Sequence, residues 1–147
     1  LMFGEPLKLV TGGQQRRAFI YVDDFIDGLL RVLLRPEVSQ GEIFNLGNAN
    51  NVVSLTDLAD RMVSIYREHA RPVLDPATVN VPAEEFYGPG YDDSNYRVPD
   101  MEKARRLLDF NPRWDLESML QVIIQDYVQH YKIQRNPGED RHCHPGL

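Results

Sequence analysis

The chain has 147 residues, enough for one ordinary domain, with 42% hydrophobic residues to build a core and 26% charged residues to keep it in water. A net charge of −6 argues against general nucleic-acid binding, which needs a basic face. No apolar run approaches the ~18 residues that span a bilayer, and the single cysteine, Cys143, excludes an internal disulfide framework and suits a reducing cytoplasm.

The opening Leu1-Met2-Phe3-Gly4-Glu5-Pro6 matches neither a signal peptide nor a clean start, so the chain reads as beginning in mid-sequence. Leu7–Val10 predicts a short strand, ended by Thr11-Gly12-Gly13. Gln14-Gln15-Arg16-Arg17 then precedes the apolar run Ala18–Val22, so at least one of the two arginines must emerge at the edge of a buried segment. Asp23 and Asp24 suit the start of a helix over 23–35, where carboxylates meet the positive end of the dipole. Phe25, Ile26, Leu29, Leu30, Leu33 and Leu34 give that helix one apolar stripe, and Pro36 ends it. Residues 43–46, followed by Gly47, read as a buried strand. Strand, helix and strand in this order indicate α/β layering.

Ser54 is placed to cap a helix over 55–69, with Asp57 three residues on in the capping-box position. Ala77–Val81 is a further strand candidate. Asp100 caps a helix over 101–108, and Phe110 and Trp114 anchor the turn that follows it. Asp115 caps the last helix, over 116–131, with Leu116, Met119, Leu120, Ile123, Ile124, Tyr127, Val128 and Tyr131 spaced to pack. From 133 onward the polar sequence reads as a loose tail.

One stretch fits neither helical nor strand periodicity: Phe86-Tyr87-Gly88-Pro89-Gly90-Tyr91-Asp92-Asp93-Ser94-Asn95-Tyr96-Arg97. Its tyrosines offer flat faces and hydroxyls. Arg97 offers a planar fork for carboxylate or phosphate. The same residues also suit a tyrosine-rich turn packed on the core, with Arg97 paired to Asp92, Asp93 or Asp100. His142-Cys143-His144, in the tail, makes a poor metal site. No P-loop, G-x-S-x-G or G-x-G-x-x-G occurs, and no nucleophile sits beside a base. The residues by themselves thus describe an α/β piece with candidate anion-binding arginines.

In order and spacing, four segments from Gly4 to about Lys132 resemble extended short-chain dehydrogenases/reductases that act on nucleotide sugars. They are Gly12-Gly13-Gln14-Gln15-Arg16-Arg17-Ala18-Phe19, Tyr21-Val22-Asp23-Asp24, Phe44-Asn45-Leu46-Gly47, and Asp100-x-x-Lys103-Ala104 leading to Phe110-x-Pro112. Tyr87-Gly88-x-Gly90-Tyr91 followed by Arg97-x-Pro99 resembles, within that group, the UDP-glucuronate decarboxylases of polymyxin-resistance enzymes.

The resemblance implies an α/β fold: a C-terminal substrate-binding lobe, residues 51–132, plus the last elements of a Rossmann-type NAD-binding domain, residues 1–50, with 133–147 as a flexible tail. It implies NAD-dependent oxidation of the glucuronate C4 hydroxyl and loss of the carboxylate as CO2, giving a UDP-4-keto-pentose. By the same resemblance Arg97 is the catalytic residue, Arg17 binds the UDP diphosphate, and Tyr91 and Tyr87 contact substrate. The partners implied are a UDP-sugar and a second copy of the chain, without nucleic acid or membrane, in the cytoplasm. The glycine-rich NAD loop and the Tyr-x-x-x-Lys pair of the group are absent here. NAD is therefore expected in a parent enzyme and not on this chain alone, which should be inactive by itself. A nucleotide-sugar epimerase or dehydratase would share Arg17 without needing Arg97 on a carboxylate. A non-catalytic nucleotide-sugar-binding or assembly module is the third reading.

Overall fold

The computed structural model describes residues 1, 5–70, 76–91 and 93–132. Among the described residues, five short strands form two small sheets, with six helices packed around them. β1 (Leu7–Val10) pairs in parallel with β4 (Thr78–Val81), Leu7 opposite Thr78 and Val10 opposite Val81. β2 (Arg16–Ala18) is the centre of a mixed three-stranded sheet. On one side it runs antiparallel to β3 (Val52–Ser54), Arg17 opposite Val53; on the other it runs parallel to β5 (Tyr96–Arg97), Arg17 opposite Arg97. The pairing therefore joins segments on either side of residue 50. Among the described residues, no helix is long and apolar enough to cross a membrane.

The long helices follow the sequence closely. α3 (Leu55–Ala70) buries Ala59, Val63, Ile65 and Tyr66, and α6 (Leu116–Lys132) packs against it with Leu116, Met119, Leu120, Ile124 and Val128. Both helix starts use the predicted side chains. Ser54 Oγ accepts the Asp57 N–H at 3.0 Å, and Asp115 Oδ1 accepts the Ser118 N–H at 2.8 Å. The Ser118 backbone N–H, then its hydroxyl, hold the Asp115 carboxyl below the usual aspartate range. This cap therefore contributes above the ordinary aspartate pKa and is lost as pH falls through the lowered folded value. α5 (Glu102–Leu108) closes a second cluster of Met101, Ala104, Leu108 and Phe110, with Asp100 Oδ1 accepting the Glu102 N–H.

α1 (Val22–Leu34) carries the stripe read from the sequence, and much of it is uncovered: Phe25, Ile26, Leu29, Leu30, Leu33 and Leu34 are exposed, the last two by 74% and 77%. Pro36 does not leave the chain irregular; it opens a short second helix, α2 (Pro36–Ser39), because proline fits the first helical turn.

Residues 43–46, expected as a buried strand, are irregular, and Ile43 is 85% exposed. Alternation survives, since Phe44 and Leu46 pack on the α5 cluster while Ile43 and Asn45 face outward. A strand also needs a neighbour to complete its hydrogen-bond ladder, and no described segment supplies one. Lys103 pins the segment instead, paired with Glu42 and placed over the Phe44 ring. Its hydrogen bond and charge lower the Glu42 pKa. The sequence also left unassigned β2, β3, β5 and α4 (Ala83–Tyr87), all five residues or shorter.

Asp24 is 2% exposed. Its Oδ2 accepts the backbone N–H of Arg113 at 3.0 Å and of Trp114 at 2.9 Å. The side-chain amides of Asn48 and Asn51 both donate to the Trp114 carbonyl, at 2.9 and 3.0 Å. The Trp114 ring packs on Tyr21, centroids 4.4 Å apart. This knot ties α1, the 48–51 turn and the approach to α6 together.

Asp24→Ala should lower unfolding stability by about 2 kcal/mol in urea titrations, since it leaves two part-buried N–H donors without their acceptor. Asp24→Asn should cost less than half as much, because both bonds fall on one oxygen and an amide oxygen can replace it. A second expectation concerns Gly13, whose φ is +65° and whose added Cβ would lie 2.7 Å from Thr56 Oγ1 and 3.0 Å from the Thr56 backbone N. Gly13→Ala should destabilise by about 2 kcal/mol in the same assay, by strain and overpacking together.

Candidate functional site

The site grows from the turn between β1 and β2. Thr11–Gly13 form a single tight turn with positive φ throughout. Thr56 Oγ1 donates to the Gly12 carbonyl at 2.7 Å, and the Gly12 N–H donates to Asn80 Oδ1 at 2.7 Å. These contacts fix where β2 leaves the turn. Gln15 is buried, and its carbonyl accepts the Leu55 N–H. Arg16 and Arg17 then enter the sheet, the Arg16 N–H donating to the Asn95 carbonyl at 2.8 Å.

The register brings together the two arginines singled out in the sequence. Arg17 and Arg97 are direct partners in the parallel β2–β5 pair, so both side chains leave the same face of the sheet. They converge on one carboxylate. Arg17 Nη2 lies 2.6 Å from Asp93 Oδ2, and Arg97 Nη2 lies 2.7 Å from Asp93 Oδ1. Arg17 is held more deeply, 18% exposed at its side chain against 61% for Arg97. Its Nη1 also donates to the Arg16 carbonyl. Arg16 itself turns away, reaching the Val52 carbonyl at 3.5 Å.

The pairing of Arg97 with a nearby aspartate was open in the sequence, and Asp93 is the one that makes it, four residues back. The simultaneous hold on Arg17 was not visible, because it depends on strand register across 76 positions. Asp92 lies outside the described residues, as do His142, Cys143 and His144.

Tyr87 and Tyr91 form a separate group on the same stretch. Their rings stack with centroids 4.0 Å apart and planes 25° apart, across the Gly88-Pro89-Gly90 turn, and Phe86 meets Tyr87 edge-on. Both tyrosines are about half exposed. Among the described residues, no hydrogen bond links this stack to the arginines.

Among the described residues, no glycine-rich turn leads from a strand into a helix in the way that seats a dinucleotide pyrophosphate. Gly12-Gly13, after β1, runs on into another strand instead of a helix, and the Gly12 N–H is already taken by Asn80. Among the described residues no cluster of His, Cys, Asp and Glu is arranged to hold a metal. A concavity of about 440 Å³ is lined by Asp23, Arg113, Trp114, Asp115 and Ser118, none of them singled out as site residues by the sequence. Asp115 there is occupied in capping α6.

Residues 2–47 match the model of the NAD dependent epimerase/dehydratase family. The chain is 42% identical over 137 residues to UDP-D-apiose/UDP-D-xylose synthase 1 of Arabidopsis thaliana, covering 90% of this chain and 35% of that protein. It is 39% identical over 133 residues to UDP-D-apiose/UDP-D-xylose synthase of Oryza sativa subsp. japonica, covering 90% and 33%. The chain thus spans about a third of the length of these relatives. Among solved structures, the PbgP3 protein from Burkholderia pseudomallei superposes with a TM-score of 0.72 at 30% identity, covering 91% of this chain and 37% of that one. The UDP-glucuronic acid 4-epimerase of Bacillus cereus, solved with UDP-glucuronic acid and NAD, shares the fold at 24% identity and a TM-score of 0.68, covering 88% and 37%. The α/β fold expected from the sequence is therefore that of these enzymes, and the chain is similar to them over most of its length, with residues 2–47 similar to the NAD dependent epimerase/dehydratase family.

Proposed function

We propose that this chain is the substrate-binding part of an NAD-dependent nucleotide-sugar enzyme that decarboxylates UDP-glucuronate. The observation that carries the reading is the register pairing of Arg17 with Arg97, which sets two guanidiniums close enough to share one carboxylate. Two such forks side by side suit a ligand with two anionic groups, a diphosphate on the more sheltered Arg17 and a sugar carboxylate on the more open Arg97. The Tyr87–Tyr91 stack supplies flat apolar surface on the same stretch for the rest of the substrate.

The relatives' names support the same chemistry. Apiose and xylose are five-carbon sugars, and a six-carbon uronic acid becomes a pentose by losing its carboxyl carbon. With a ketone at C4, the C5–C6 bond breaks, CO2 departs, and the electron pair passes to the C4 oxygen as an enolate. A guanidinium fixed at the carboxylate orients that bond, and its field favours the negative charge left behind. Oxidation at C4 is the chemistry NAD would supply in the whole enzyme, and no role in it is assigned to the residues described here. Residues 1–50 and 51–132 are read as the end of the cofactor domain and the substrate lobe. A homo-oligomer belongs to the same reading, with the open stripe of α1 as the surface that association would bury.

The test separates decarboxylase from epimerase in the whole enzyme. Arg17→Ala should weaken UDP binding by about 1.5–3 kcal/mol, the scale of a charge-assisted hydrogen bond. Arg97→Met should leave UDP affinity nearly intact while CO2 release falls at least ~100-fold, the scale for removing one preorganised charge-stabilising group. Arg97→Lys should restore only part of the rate, since an ammonium lacks the planar fork. Equal losses in UDP affinity and CO2 release with Arg97→Met would make that arginine a loop fastener and remove the decarboxylase reading.

A further inference from the structure

We infer that Asp93 is a tethered stand-in for the anionic ligand: its carboxylate occupies the Arg17–Arg97 site in the free chain and must be displaced when a diphosphate or sugar carboxylate binds. This rests on the reading of the two arginines as an anion site.

Three observations carry it. First, the geometry is that of a bound anion. One carboxylate spans both guanidiniums, Oδ2 at 2.6 Å from Arg17 and Oδ1 at 2.7 Å from Arg97, as a bridging carboxylate or phosphate ligand would. Second, Asp93 is not built into the sheet it bridges. The chain is fastened just beyond it, where Ser94 Oγ both donates to the Tyr96 carbonyl and accepts the Tyr96 N–H, and where the Asn95 carbonyl accepts the Arg16 N–H. Third, the chain before it can turn. Gly88 and Gly90 have φ of +91° and +80°, and an added Cβ at either would meet nothing within 4 Å. Asp93 can therefore leave without dismantling β5.

A tethered carboxylate competes at a high effective concentration, so it excludes dilute monoanions while yielding to a ligand that brings more than one negative group. Because one side chain holds both arginines, an anion that captures Arg17 also loosens the hold on Arg97. The two ends of a substrate would then assist each other's binding. Asp93 is, on this account, a selectivity device for polyanionic ligands.

Calorimetric titration of the purified chain with inorganic pyrophosphate decides the matter, with circular dichroism to show that each variant is folded. Asp93→Asn keeps the shape and removes the charge. It should bind pyrophosphate at least ~10-fold more tightly than the unaltered chain, since the site is no longer pre-occupied. Adding Arg17→Ala should abolish the gain. Equal or weaker binding by Asp93→Asn, with binding still dependent on Arg17, would overturn the stand-in role and leave the anion site in place. No binding by either protein at millimolar pyrophosphate would overturn the anion site and this inference together. Should Asp93→Asn fail to fold, Asp93→Ser is titrated in its place and read the same way.

Discussion

The structure depends first on how the Arg113-Trp114 backbone is held. A peptide segment between two helices must have its polar groups satisfied, and here Asp24 takes two N–H groups while Asn48 and Asn51 take the Trp114 carbonyl. Two apolar clusters meet at this knot, one built on α3 and α6 and the other on α5 and Phe110. Neither cluster is large. Their mutual placement therefore rests on directional bonds to buried side chains as much as on apolar burial, and β3 joins the first cluster through Val53.

The convergence of Arg17 and Arg97 on Asp93 is a consequence of register. Like charges placed side by side on adjacent strands repel. Arg17 and Arg97 tolerate their pairing because Asp93 lies between them. The strand carrying Arg97 has only two residues, so it contributes little ladder of its own. The site is thus the point where the sheet is weakest and its electrostatics most demanding. Binding sites commonly combine these two properties, since a ligand can then supply what the free fold lacks.

Much of the architecture was legible in the residues. Long helices declared themselves through the apolar spacing of α3 and α6, and through Ser54, Asp100 and Asp115 at their starts, because those signals are local. The short strands did not, since β2, β3 and β5 are defined by partners far away in the chain. Residues 43–46 show the converse: a strand-like alternation without a partner gives no strand. Asp24 looked like a helix-start carboxylate, and its tertiary role came from a segment about ninety residues later. At the site, Arg17 and Arg97 were chosen by residue type and motif. Their adjacency, and the part played by Asp93, emerged only with the sheet.

The uncovered stripe of α1 has a thermodynamic consequence. Apolar side chains that remain in water when the chain folds add nothing to the heat-capacity increment of unfolding. Leu33 and Leu34 are largely in that position, so the curve of stability against temperature should be flatter than the chain's apolar content suggests. Any surface that covers the stripe restores the missing increment. Such an encounter would register as a negative change in heat capacity even at a temperature where its enthalpy is near zero.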